Sequence, residues 1–338
     1  MIRSSKLATE PEEEKVSIRK LSILFVVLAT ATQLAIAQDF PTRPVKLVVT
    51  FSAGGTNDVI ARLLAPKLAD LLNQSVIVEN RPGGNSIPGA DYVAKSAADG
   101  YTLLMGSTSI LGTMGSLFHK LPFDPQRDFA PVSVLAISSN VLVVHPSVAA
   151  HSVKELVALA KAAPGTLNFG SAGNGSPFHL SGELFKAQTG TNLIHVPYKG
   201  NAPAVFDLLA GRVQMLFANL TDVLTHINAG KLRPIVWTGA KRTSLLPSVP
   251  TVAEAGLANA ESASFFAIVA PNKTPKDVVT RLNTETVKVL KLPEVHQRMV
   301  DLGLEPVGNS PEEAEVFLRK EFAKWAKVIK DSGAKVDN

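Results

Sequence analysis

From residue 45 onward the chain alternates short apolar runs with longer segments whose apolar positions recur every three to four residues. The run VKLVVTF at 45–51 suits a strand buried on both faces, and it ends in Ser-Ala-Gly-Gly. Residues 56–73 follow at helical spacing, with Ile60, Leu63, Leu64, Leu68, Leu71 and Leu72 on one stripe. A strand at 76–78, a turn at 79–84, a helix at 88–97 and a strand at 101–105 running into Gly106-Ser107-Thr108-Ser109 continue the pattern. Strand, helix and strand joined this tightly form a βαβ unit with parallel strands.

The proline-rich segment 121–131 reads as a surface loop, after which two apolar runs, 132–137 and 141–144, flank Ser138-Ser139-Asn140. Small polar residues between strands make a tolerable hinge, so this is where a crossing into a second domain is expected. Ser152, with Glu155 three residues on, opens a helix that stops at Pro164-Gly165. The opening pattern then returns: a strand at 167–170, the turn Ser171-Ala172-Gly173-Asn174-Gly175, a helix at 176–188 and a strand at 193–196. Two Ser-Ala-Gly turns at equivalent points are more specific than βαβ grammar requires. Beyond them lie helices at 202–210 and 222–229, strands at 213–217 and 234–238, and a short helix through 255. A strand at 265–270 is placed to return the chain to the first domain, and helices at 275–290, 294–302 and 311–329 come after it. The alternation predicts an α/β fold with mainly parallel sheets and a ligand beyond the carboxyl ends of the strands.

The N-terminus changes the picture of location. Arg19 and Lys20 precede an apolar run at 21–36, and Ala35-Ile36-Ala37 has the small residues of a signal-peptidase site, so residues 1–37 read as a signal peptide and the mature chain starts at Gln38. The rival reading, an uncleaved anchor, is weakened by a run short of the ~20 residues of a span and diluted by Thr30, Thr32 and Gln33. The acidic cluster Glu12-Glu13-Glu14 is unusual ahead of a signal and leaves a downstream translation start as the alternative. A net charge of +5 permits weak attraction to anions, but no basic block is interleaved with aromatics, and no nucleic-acid partner is expected. The chain has no cysteine, which removes thiol catalysis, thiolate metal sites and disulfides together.

Helix N-termini carry unpaired N–H groups and partial positive charge, so each glycine-rich turn offers donors to a carboxylate. Neither turn contains Lys or Arg, and recognition would rest on dipoles, hydroxyls and bridging waters. Asp58, in the first turn of its helix, serves the local N–H groups rather than an anion, with contact to a ligand amine or hydroxyl as the alternative. Enzymatic motifs fail on inspection. Residues 169–173 lack the first glycine of G-x-S-x-G, Gly173-Asn174-Gly175 lacks the third glycine of a dinucleotide fingerprint, and no phosphate-binding P-loop occurs. The seven histidines show no metal-ligand spacing. His179 suits a cleft position or helix packing equally, and His195 reads as structural. No catalytic residue, metal or cofactor is expected.

Seven segments carry a family resemblance: FPTRPV at 40–45, FSAGGTNDVIAR at 51–62, VENRPGG at 78–84, DGYTLLMGS at 99–107, FGSAGNGSPFHLSGELF at 169–185, HVPYKGNAPA at 195–204 and PTVAEAG at 250–256. Together they resemble, in order and over the whole mature chain, the Bug family of TctC-like periplasmic solute receptors of the tripartite tricarboxylate transporter type. The resemblance implies a type II periplasmic-binding-protein fold, with residues 38–138 plus 262–338 as the first α/β domain and 139–261 as the second, closing as a monomer on a small carboxylate in the cleft. Carried over by position, the ligand contacts are Phe51, Ala53, Gly54, Gly55, Asn57, Asp58, Ser107 and Thr108 in the first domain. In the second they are Ser171, Ala172, Gly173, Asn174, Ser176, His179 and Asn219. Family members usually have proline where Ala53 stands and commonly aspartate where Asn219 stands, so turn stiffness and pocket polarity differ here. The implied partners are the permease subunits of such a transporter or a sensor-kinase ectodomain; an α/β enzyme acting on a carboxylate is the remaining alternative.

Overall fold

The computed structural model describes residue 1 and residues 40–118, 120–257 and 260–332. The expected signal peptide lies outside the described residues, apart from Met1. The strands and helices all belong to one compact unit that begins at Arg43.

Among the described residues ten strands form one continuous sheet. β1 (Val45–Val49) pairs in parallel with β2 (Val76–Asn80) and β3 (Thr102–Ser107). β3 then pairs antiparallel with β9 (Ala263–Pro271), and β9 with β4 (Phe129–Val144). β4 goes on to pair antiparallel with β7 (Met215–Asn219) and β8 (Arg233–Trp237), and β7 pairs in parallel with β5 (Asn168–Ser171), which carries β6 (Ile194–Pro197). The two-residue strand β10 (Glu305–Pro306) adds to β4. The order β2-β1-β3-β9-β4-β7-β5-β6 thus joins two parallel βαβ units through an antiparallel centre.

That centre corrects two expectations. The sheet is not mainly parallel, because β4 and β9 carry the chain out of the first half and back, and a returning strand beside an outgoing one must be antiparallel. The polar stretch Ser138-Ser139-Asn140 does not separate two strands but lies inside β4. It is tolerated in a buried strand because its polar groups are bonded: the Asn140 N–H donates to Thr238 Oγ1 at 2.7 Å and Asn140 Nδ2 to Ser262 Oγ at 3.2 Å. β4 pairs with β9 through Ser139 and with β7 from Asn140, so the exchange of partners falls at this polar step. Register shifts against β9 at Pro131/Ser133 and Val134/Ala136 bend the strand before it crosses.

Helices α1 (Thr56–Leu72), α2 (Ile87–Ala94), α3 (Met114–Leu117), α4 (Val153–Ala162), α5 (Pro177–Thr189), α6 (Asn201–Leu209) and α7 (Leu220–Asn228) connect the strands. After β9 come α8 (Lys276–Leu290), α9 (Pro293–Asp301) and α10 (Pro311–Ser332). Residues 252–256 form turns rather than the expected short helix, and Thr108–Thr113 winds as a π-helical turn that the sequence pattern does not signal. Each half has its own core: Val48, Leu104, Phe265 and Ala267 in one, Val141, Val143, Leu216 and Trp237 in the other. A third cluster joins Leu180 of α5 to Trp325 and Ile329 of α10, so the last helix packs across both halves.

Candidate functional site

The first strand delivers Phe51 to the turn, Gly54 takes φ +84°, and Gly55 precedes α1 in an extended conformation with no side-chain cap of its own. The cap comes from the other half of the molecule. The Thr56 N–H and the Thr56 hydroxyl both donate to Asp222 Oδ1 at 2.9 Å. A carboxylate at a helix N-terminus answers both the orphan N–H groups and the helix dipole. Asp222 stands in the first turn of α7, Asn201 at the start of α6 donates from Nδ2 to Asp222 Oδ2 at 2.6 Å, and Asn219, preceding α7, donates from Nδ2 to Thr56 Oγ1 at 3.0 Å.

These groups line an inner cavity of about 30 Å³. Its walls are Phe51, Gly55, Thr56 and Asn57, the strand end Ser107-Thr108-Ser109, and Ser264 and Phe266 of β9 on one side. Ala172, Pro177, Phe178, Asn201, Asn219 and Asp222 close the other. At ~10–15 Å³ per water-sized site it has room for about two such sites. Phe51 and Ala172 also border an outer cavity of about 550 Å³, which Ser52, Asn85, Asn174, Tyr198 and Lys199 line. The halves are also joined directly: the Ser52 N–H and hydroxyl donate to the Lys199 carbonyl at 3.3 and 3.0 Å, and Thr113 Oγ1 donates to the Gly175 carbonyl at 2.6 Å.

Of the residues singled out from the sequence, the structure brings Phe51, Gly55, Asn57, Ser107, Thr108, Ala172 and Asn219 to the inner cavity, and Asn174 to the outer one. Ala53 is exposed and lines neither. The Gly54 N–H is held by Asp58 Oδ2 at 3.0 Å, and Asp58 is itself bound by Arg62 and Asn80. Ser171 Oγ accepts from the Gly173 N–H and meets His195 Nε2 at 2.7 Å. Ser176 caps α5 by accepting from the His179 N–H, and His179 Nδ1 accepts from the Gly175 N–H at 3.1 Å. In the second turn, then, the Gly173 and Gly175 N–H groups serve the protein's own side chains. Thr56, Asn201 and Asp222 were not picked out. Asn201 sits within HVPYKGNAPA as the first residue after a glycine, and Asp222 is a first-turn acid like Asp58; those positions were the available signals.

Burial pushes the Asp222 carboxyl up to about 6, against the lowering effect of the bonds from Asn201 and Thr56. Burial likewise acts to raise Asp58, but Arg62, the Gly54 N–H and Asn80 outweigh it and hold that group below the usual carboxylate range. His179 and His195 stack at 4.1 Å, and burial lowers both, His195 to about 3 with help from His179 and Lys186. Both rings are therefore neutral near pH 7, in a packed pair behind the second turn. Among the described residues no group of three acidic or imidazole side chains is placed to hold a metal ion, and no helix is long and apolar enough to cross a membrane.

Comparison with known proteins agrees with this architecture. The model of a family described as "Tripartite tricarboxylate transporter family receptor" matches residues 60–334. Protein BugT of Bordetella pertussis is 38% identical over 321 residues, 94% of this chain and 98% of its own. Among solved structures, R. palustris Rpa4515 with adipate superposes with a TM-score of 0.85 at 41% identity, covering 88% of this chain and 100% of that one. MatC from Rhodopseudomonas palustris with bound malate gives a TM-score of 0.83 at 30% identity, covering 86% and 100%. The chain therefore has the two-domain type II periplasmic-binding-protein fold, and it belongs to the TctC family, the tripartite tricarboxylate transporter receptors that include the Bug proteins.

Proposed function

We propose that this protein is a periplasmic receptor that encloses a small carboxylate between its two halves, without covalent chemistry, and hands it to a tripartite tricarboxylate-type permease. The observation that carries the reading is the inner cavity: both halves wall it, and the start of α1 at Gly55–Asn57 faces it with the Ser107 hydroxyl. Relatives of the same fold hold adipate and malate, both small carboxylates. We place the boundaries of the moving domains at Ser138–Asn140 and near Ser262, where β4 exchanges partners and β9 begins. A cavity of about 30 Å³ is too small for a six-carbon acid, so the halves would stand further apart around such a ligand than they do here. The test is thermal denaturation of the mature chain with a panel of mono-, di- and tricarboxylates. A ligand at about 100 times its Kd stabilises by about 2.7 kcal/mol and raises Tm by several degrees. A broad panel in which no acid raises Tm sinks the reading.

A further inference from the structure

The hydrogen bonds around Asp222 dictate how two amides face the inner cavity. An ionised carboxylate only accepts, so Asn201 must present Nδ2 to it, at 2.6 Å, and the Thr56 hydroxyl must give it its single proton, at 2.9 Å. Thr56 Oγ1 is then an acceptor, and Asn219 meets it with Nδ2 at 3.0 Å. Both amides are thereby held with Oδ1 pointing away from the relay. Those two oxygens, and Asn57 Oδ1, are buried with no hydrogen-bond partner among the described residues, and all three side chains line the cavity. Asn201 and Asn219 are only 6% and 3% exposed, so bulk water does not serve them. A buried acceptor left unsatisfied is costly, and the Asn201 and Asn219 oxygens beside a carboxylate form a wall that favours donors and repels anions. The opposite wall carries Asn57 Oδ1 and Ser107 Oγ, the latter also buried with no partner among the described residues, and Ser107 can donate a hydrogen bond to a ligand carboxylate.

We propose that the ligand is a small acid whose second polar group is a hydrogen-bond donor, an amide or an ammonium, seated against the oxygens of Asn201 and Asn219 beside Asp222, where a second carboxylate is excluded. The proposal rests on the receptor reading and adds the chemical class of the ligand's far end. Asp222 and Thr56 act as positioning residues for the amides.

Calorimetric titration of the mature chain at about pH 8, where Asp222 is ionised, tests it with matched series on two skeletons: succinate, succinamate and 4-aminobutanoate, then adipate, adipamate and 6-aminohexanoate. Where another acid in the thermal panel binds, its monoamide and its amine analogue form the series. On the skeleton that fits, a donor-ended member should bind at least about tenfold tighter than the diacid. Asp222→Asn should shrink that ratio several-fold, and so should Thr56→Val, which breaks the relay while leaving the carboxylate in place. The wild-type series needs neither variant to fold. A diacid that binds as tightly as its amide and amine partners overturns this proposal and leaves the receptor reading standing. Failure of every acid in the panel instead removes the receptor reading itself.

Discussion

The two Ser-Ala-Gly turns share a sequence and differ in what they do. At the first, Asp58 holds the Gly54 N–H and Asp222 the Thr56 N–H, while Gly55, Thr56 and Asn57 line the cavity wall. At the second, Ser171 and His179 take the Gly173 and Gly175 N–H groups, and of the turn itself only Ala172 reaches the inner cavity. Across that cavity Thr56 instead meets the starts of α6 and α7, through Asn201, Asn219 and Asp222. Whether a glycine turn offers N–H groups to a ligand depends on which side chains lie within reach, and these are set by packing rather than by the turn's own residues.

Acid separates the turns first and most strongly. His195, behind the second turn, is held neutral with its folded value near 3 against an ordinary 6.5. A depressed histidine contributes stability that is present above 6.5 and lost as pH falls toward 3, a loss of ~4 kcal/mol. Urea midpoints of His195→Gln should therefore fall less than wild type between about pH 6.5 and 4; equal slopes would detach the imidazole pair from the second turn's stability.

The first turn should respond with the opposite sign. Asp222, which caps α1, titrates near 6 in the folded protein, above its ordinary 3.8. A raised carboxyl contributes stability that is complete below 3.8 and lost as pH rises through 6, about 3 kcal/mol in the absence of ligand. Asp222→Asn should flatten that limb of the profile while its amide oxygen still accepts from the Thr56 N–H. A variant whose midpoint declines with pH as wild type does would show that the carboxylate is not the group responsible.

Backbone geometry gives the smallest contrast. Gly173 stands at φ +118°, and a Cβ there would lie 3.1 Å from Asn85 Oδ1 and 3.2 Å from the Tyr198 carbonyl. Gly55 sits at φ −82° with 3.7 Å of clearance. Gly173→Ala should cost ~1–3 kcal/mol and Gly55→Ala less than about 1. Equivalent costs by denaturant titration would erase the distinction between the turns.

Much of this was legible in the sequence. The apolar run before Gly54-Gly55 and the leucine stripe after it specify β1 and α1 locally, because period and punctuation agree. The unbroken β4 was not legible: Ser138-Ser139-Asn140 looks like an interruption until Thr238 and Ser262, far along the chain, supply its partners. Asp222 was hidden for a related reason. A first-turn acid reads as the dipole partner of its own helix, whereas this one caps a helix in the other half. His179 shows the remaining ambiguity, since helical spacing could not say whether the ring faced a cleft or stacked on His195.

β4 has a mechanical consequence. One strand of the continuous sheet serves both halves, bonded to β9 along its first part and to β7 and β8 along its last, with no run of free backbone between them. A bend between Ser139 and Asn140, where the partner changes, breaks no ladder bond of this strand with β9 or β7. Under the receptor reading, the halves part by flexing at that step and by twist shared with the neighbouring β9, rather than about a loop.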